Sequence, residues 1–413
     1  MSTAADVPTD LDPKTLRRQL AEQLLAAGHV TRDTVAAAFR TVPRHLFMLD
    51  GVDLATAYDA DQSPVTKRNE AGAATSSVSA PWLQGRMIEQ ADIRPGMRVL
   101  EIGSGGYNAA LIAEVVGPTG RVVTVDIDRD ITDCTSRRLD ATGYGRIRVV
   151  QADGNRRIPG EHELFDAIVV TVGTHSVPPA WMEQLAPHGI LVVPLDMGGT
   201  TRSIAFRRDG NRLESLSAEV CGFVPMQGDG EHAPTIVSVP GTQAAAATLR
   251  FAGPAPAGLN LPDNLLSGPP VQLWSGETIG NSTDWSDLYL WFSCYMPGAC
   301  TVTVPDDSPL RTPGQFFFPK GNARDDSLAV FVIRRLDDGS GCEWGATGYG
   351  THGVVAAEEM ISHIQQWNRT AGPTRPPTYT FIAKPNRPQL QPHTTALAQH
   401  HGALLIHWPT STD

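Results

Sequence analysis

Apolar residues recur at helical spacing from Pro13 to Ala27, at Leu16, Leu20, Leu24 and Leu25, and Gly28 is a natural stop. Thr31 to Arg40 predicts a second helix, with Thr31 as N-cap and Val35, Ala38 and Phe39 on one face. Residues 51–75 are irregular and polar, the pattern of a loop, either plain surface or a substrate element. Pro81 to Gln90 reads as a helix. From Arg98 onward the rhythm changes. Short apolar strands are predicted at Arg98–Ile102, Arg121–Asp126, Ile147–Gln151, Phe165–Val172 and Ile190–Pro194. Helices are predicted between them at Tyr107–Val116, Ile131–Thr142 and Pro179–Leu185. Such alternation indicates an α/β fold with a parallel sheet.

Between Ser238 and Pro270 Gly, Pro and Ala dominate, which marks a linker. Residues 271–413 then carry β-like runs at Leu288–Tyr295, Cys300–Val304, Leu328–Arg334 and Tyr379–Ala383, and one strong helical pattern from Ala356 to Trp367. The predicted division is a disordered tail over 1–12, an α/β domain over 13–237, a linker over 238–270 and a smaller α+β domain over 271–413.

Composition narrows the functions available. The chain has 413 residues, 41% hydrophobic and 19% charged, as expected for folded globular domains. Its net charge of −11 argues against nucleic acid as a partner, because phosphate binding calls for a basic surface. No apolar run approaches the ~20 residues that span a bilayer, and the acidic start from Met1 to Pro13 lacks signal-peptide order. The five cysteines are scattered without a Cys-x-x-Cys pair, so reduced thiols and a cytoplasmic location are expected, with Cys294 and Cys300 the one pair close enough to be considered for bridging or metal. No His cluster has ligand spacing, and no metal is expected.

The chemistry concentrates at Val99-Leu100-Glu101-Ile102-Gly103-Ser104-Gly105-Gly106-Tyr107, where a strand feeds a glycine turn that opens a helix. Asp126 ends the next strand, placed as an acid that bonds ribose hydroxyls, with Ile127 beside it. A dinucleotide fits this spacing too. However, Asn108 stands where the third fingerprint glycine would be, and a pyrophosphate would meet repulsion from Glu101. A carboxylate there suits a cationic cofactor, the sulfonium and ammonium of S-adenosylmethionine. Asp153 and Gly154 follow the third strand, either as adenine contacts or as an ordinary Asp-Gly turn.

Several segments together resemble the protein-L-isoaspartate O-methyltransferase family: Val42-Pro43-Arg44-His45-Leu46-Phe47, Ser77-Val78-Ser79-Ala80-Pro81, the glycine turn, and Phe165 to Gly173 followed by Val177-Pro178-Pro179. The resemblance covers about 13–225. It implies a Rossmann-like class I methyltransferase fold, S-adenosylmethionine as cofactor, and methyl transfer to an Asp-derived carboxylate of a peptide or protein. By this resemblance Ser79 is the active-site hydroxyl, with N-capping of the helix at Pro81 as its structural alternative. Glu101, Gly103, Ser104, Gly105, Tyr107, Asp126, Ile127, Asp153 and Gly154 are the implied cofactor residues. Ser77, Val78, Trp82 and His175 are the substrate-contact candidates, with core packing the alternative for Trp82 and Tyr107.

Residues beyond 225 are not part of the simple repair enzyme. Long versions resemble enzymes that tailor ribosomally made peptides, including lanthipeptide-type systems. The extension therefore favours esterification of an Asp side chain in a macrocyclic peptide, leading to aspartimide and isoaspartate. Isoaspartyl repair, and a noncatalytic peptide-binding scaffold on the same fold, are the competing readings.

Overall fold

A computed structural model describes residues 12–239, 247–304, 308, 310, 318–384, 390 and 392–409. The expected tail over 1–12 lies outside the described residues except for Asp12. The chain opens with helices α1 (Pro13–Ala26), α2 (Asp33–Thr41) and α3 (Leu54–Tyr58), strands β1 (Val65–Arg68) and β2 (Ala74–Ser77), and helix α4 (Pro81–Gln90). The alternating region follows: β3 (Arg98–Ile102), α5 (Tyr107–Val116), β4 (Arg121–Asp126), α6 (Arg129–Ala141), β5 (Arg148–Gln151), β6 (Phe165–Val170), α7 (Pro179–Gln184) and β7 (Leu185–Asp196). Then come β8 (Thr201–Asp209), β9 (Arg212–Val220), β10 (Thr235–Val239), β11 (Ala247–Phe251), β12 (Val271–Gly280) and α8 (Ser286–Tyr295). The last elements are β13 (Ala299–Thr303), β14 (Lys320–Arg324), β15 (Ser327–Arg335), β16 (Gly341–Tyr349), α9 (Gly353–Thr370), β17 (Thr378–Ala383), β18 (Thr394–Gln399) and β19 (Gly402–His407).

The strands form a β1–β2 hairpin and two large sheets. The first sheet runs β18-β19-β17-β9-β8-β7-β6-β3-β4-β5. Its β7-β6-β3-β4-β5 half is parallel, as the alternating pattern requires, because parallel strands need crossover helices. The central parallel strands β3 and β6 are buried on both faces, which is why they read as continuous apolar runs. The second sheet, β10-β11-β13-β14-β15-β16-β12, is antiparallel, and α9 packs across it.

Sheet membership corrects the expected domain division. Strands β17 to β19 lie in the proposed accessory domain by sequence, yet they pair back onto β9 and extend the first sheet. The stretch assigned to a linker contains β11 and the end of β10. A single hydrophobic core runs from Leu100 and Ile168 through Trp291 and Phe331 to Trp367 and Trp408, so the two sheets share their packing. Leu288–Tyr295 is also corrected, from strand to helix α8. Leu288 to Phe292 are all buried, and a helix apolar on every side shows no period that separates it from a buried strand. Thr31 is not an N-cap; Arg32 holds that position, and Glu89 accepts the Thr31 and Arg32 amide protons at 2.9 Å each. All five cysteines are free. Among the described residues no helix is long and apolar enough to cross a membrane, and no cluster of His, Cys, Asp and Glu could hold a metal.

Candidate active site

The first cleft opens where β3 ends. Gly103 has φ +95°, and a Cβ there would sit 2.6 Å from the Thr171 hydroxyl oxygen, so the turn needs glycine. Gly106, at φ +84°, caps α5 against the Phe47 ring. Gly105 differs from both: a Cβ on it would meet nothing within 4 Å, so it faces open space. The turn thereby exposes backbone and the start of α5 to a cleft of about 440 Å³.

Of the sequence candidates, Ser77, Val78, Ser79, Glu101, Gly103, Ser104, Gly105, Tyr107 and Asp126 line this cleft. Glu101 is fully buried; it accepts from Asn108 Nδ2 at 2.8 Å and Thr124 Oγ1 at 2.6 Å, and it forms no ion pair among the described residues. Burial raises its pKa to about 7, against the lowering effect of those two hydrogen bonds. Asp126 accepts from the Ser104 and Asp128 amides at 3.0 and 2.9 Å, while burial holds its pKa above the ordinary value. The buried Tyr107 Oη and Asn108 Oδ1 have no hydrogen-bond partner among the described residues.

Ser79 sits in the connection from β2 to α4. It is not the helix cap: Ala80 occupies that position and no side chain caps the helix. Instead, the Ser79 carbonyl accepts from Arg44 Nη1 at 3.0 Å. The Arg44 guanidinium is buried, donates to Gln84 Oε1 at 2.9 Å and to the Gln62 carbonyl at 3.1 Å, and lies 5.0 Å from the Tyr107 ring centroid. Burial lowers its pKa to about 10, still well above neutral, so it stays charged. Arg44 was visible only as part of the Val-Pro-Arg-His segment; that it joins the Ser79 connection to α5 could not be read from the sequence. Gln84, Thr171 and Val172 also line the cleft without having been singled out.

Five candidates lie elsewhere. Trp82 lies tilted against His29, ring centroids 5.4 Å apart, and packs against the N-terminal helical core. His175 is beyond the end of β6 in a second cleft, 3.8 Å from Asp196 and with its ring centroid 4.0 Å from that of His232. Burial lowers its pKa more than Asp196 raises it, so the ring is neutral at pH 7. Asp153, Gly154 and Ile127 do not line the first cleft. Asp153 accepts from the Asn155 amide at 2.8 Å and the Asp229 amide at 2.9 Å. Gly154 packs beneath Ile102, and Ile127 lies against Gly228. The segment around 228–229 thus closes over positions that spacing alone had assigned to a ligand.

A family profile described as protein-L-isoaspartate(D-aspartate) O-methyltransferase matches residues 15–231. A protein-L-isoaspartate O-methyltransferase of Methanopyrus kandleri is 35% identical over 224 residues, covering 53% of this chain and 95% of its own. One from Methanococcoides burtonii is 36% identical over 201 residues, covering 48% and 94% respectively. A solved structure of that description aligns over 85% of this chain and 92% of its own at 22% identity, with a TM-score of 0.48.

Proposed function

The chain belongs to the protein-L-isoaspartate O-methyltransferase family, and on that premise we propose that it esterifies the free carboxylate of isoaspartyl residues in polypeptides. It is an S-adenosylmethionine-dependent O-methyltransferase. The observation that carries the finer reading is the meeting of the Ser77–Ser79 segment and the Gly103–Tyr107 turn in one cleft.

The residues present suit the cofactor. Among the described residues Glu101 is a buried acid without a counter-ion and Asn108 Oδ1 a buried acceptor without a donor. Both are answered by a ligand carrying positive charge and N–H groups. Bound there, S-adenosylmethionine supplies an electrophilic methyl group. Glu101 balances the ligand's charge, the Gly103–Gly105 backbone admits it closely, and Asp126 lies where ribose hydroxyls would be held. Ile127 and Asp153 contact the ligand only once the 228–229 segment lifts.

A carboxylate is already ionised at neutral pH, so no residue has to act as a base. What the chain provides is placement. The Ser79 hydroxyl donates to one carboxylate oxygen, Ser77 and Val78 flank it, and the other oxygen is left free to attack. Orientation of this kind lowers barriers by ~7–11 kcal/mol in well-aligned cases. A hydrogen bond to a charged group contributes about 1.5–3 kcal/mol. Ser79→Ala is therefore expected to lower kcat about ten- to a hundredfold while the Kd for S-adenosylmethionine, read by calorimetry, stays unchanged. Full activity in that variant would remove Ser79 from the mechanism.

A second reading is favoured by the sharing of one core between the sheets, which packs additional polypeptide against one side of the catalytic half. In that reading the acceptor is a true Asp in a macrocyclic ribosomal peptide of lanthipeptide type, and the ester goes on to aspartimide. Competition between a linear isoaspartyl peptide and a macrocyclic Asp peptide, followed by mass spectrometry, separates the two. Methyl gain on the linear peptide supports the isoaspartyl reading. Methyl gain followed by loss of methanol on the macrocycle alone replaces it with tailoring.

A further inference from the structure

A second cleft of about 1580 Å³, open to solvent, adjoins the first. The wall between them is a single layer of backbone: the Gly173 amide donates to the Val224 carbonyl at 2.8 Å, and the Met226 amide donates to the Gly173 carbonyl at 2.9 Å. Val172 lines the first cleft and Thr174 the second. Extended residues rise about 3.3 Å each, so Val172 and Thr174, one on each side of the wall, are roughly 7 Å apart along this segment.

The far side of the second cleft is lined without interruption from Ala396 to His401. Side chains of a strand alternate between faces, so a cleft lying over one face would be lined by every second residue. An unbroken run means that the cleft views β18 along its edge. β18 ends the first sheet, and among the described residues it pairs only with β19. The ladder's parity shows which backbone groups face out. The Lys384 amide donates to the His401 carbonyl and the Trp408 amide to the His393 carbonyl. Alternation then directs Gly402, Leu404 and Ile406 of β19 to Gln399, Leu397 and Thr395 of β18, and turns the N–H and C=O groups of Ala396 and Ala398 outward.

We propose that the second cleft seats the substrate polypeptide flanking the acceptor residue, held in extended form as an added strand on the β18 edge. This rests on the isoaspartyl methyltransferase reading of the first cleft and extends it. Continuity with that cleft selects the occupant, because about two extended residues, at about 3.3 Å each, cover the separation of Val172 and Thr174 on the shared wall. The lining agrees. Carboxylates at Asp196 and Glu231, imidazoles at His175 and His232, and the open backbone at Gly253 offer polar partners, unlike the mostly apolar walls of a small-molecule pocket. Main-chain pairing gives affinity with little demand on sequence, which suits an enzyme acting on many polypeptides.

The test uses the full chain, S-adenosylmethionine and two isoaspartyl peptides with the acceptor at the centre, of about five and about fifteen residues, so that the shorter has only two residues on either side and only the longer reaches along β18 at about 3.3 Å per residue. The longer peptide is expected to show a KM about tenfold lower at similar kcat, the equivalent of one or two net hydrogen bonds. Backbone N-methylation of the longer peptide at alternate flanking positions removes the advantage with a two-residue period. Ala396→Pro, which deletes an outward N–H and no ladder bond, also removes it. Should that variant fail to fold, the N-methylated peptides test the unchanged protein. Equal KM values for both lengths, or indifference to N-methylation, overturn the proposal. Absence of transfer to either peptide overturns the underlying methyltransferase reading instead.

Discussion

Replacing Glu101 by Gln is expected to flatten the pH dependence of both stability and cofactor affinity, and to weaken S-adenosylmethionine binding at pH 8 by more than tenfold. The carboxyl is fully buried and its pKa stands at about 7 in the folded protein. The unfolded chain has the ordinary value near 4.3. A group raised on folding lends stability that is complete below its unfolded pKa and is lost as pH rises through its folded pKa. The ligand-free protein should therefore lose about 3 kcal/mol between roughly pH 4 and pH 8 from this residue. Glutamine removes that slope because it carries no charge; its one amide oxygen accepts from Thr124 Oγ1, and its Nε2 donates to Asn108 Oδ1 once that amide turns over. A cationic ligand reverses the balance by favouring the ionised form. Wild-type affinity should rise about tenfold from pH 6 to pH 8, with uptake of cofactor releasing up to about one proton. Calorimetry in buffers of different ionisation enthalpy reads that proton. PH-independent affinity in the wild type would show that Glu101 does not face the cofactor.

Arg44→Ala should be the most destabilising single change in the catalytic half, by about 3 kcal/mol or more. It strips the donor from the part-buried Ser79 and Gln62 carbonyls and the buried Gln84 amide oxygen, and opens a void beside Tyr107. Urea titration measures the loss. Arg44→Lys keeps the charge but cannot reproduce the guanidinium fork, so it should restore most of the stability and little of kcat, because the Ser79 connection is no longer held in one place. Restoration of kcat in step with stability would reduce Arg44 to a purely structural part.

What the sequence revealed of the fold follows from where its signals are local. The strands around Glu101 and Asp126 were legible because a parallel sheet buries both faces and each strand is short and apolar. The return of β17 to β19 to the first sheet was not, since the pairing of Phe381 with Leu213 spans a distance along the chain that no local pattern encodes. Helix α8 was misread because Leu288 to Phe292 are apolar on every side. At the site, motif residues held together by one turn, Gly103 to Tyr107, were found together. Trp82 and His175 were placed by adjacency to a motif, and neighbouring residues on a helix or past a strand end face different ways. Asp153 kept its expected position after β5 but is covered by backbone from Asp229, a contact across 76 residues.

The most direct test of the account is methyl transfer itself: the protein, S-adenosylmethionine and a matched pair of peptides that differ only in carrying isoaspartyl or aspartyl at one position. Gain of one base-labile methyl ester on the isoaspartyl peptide, abolished or strongly reduced in Ser79→Ala, is the predicted result. Tight cofactor binding with no ester on either peptide would contradict the assignment of the Ser77–Ser79 segment as the carboxylate site.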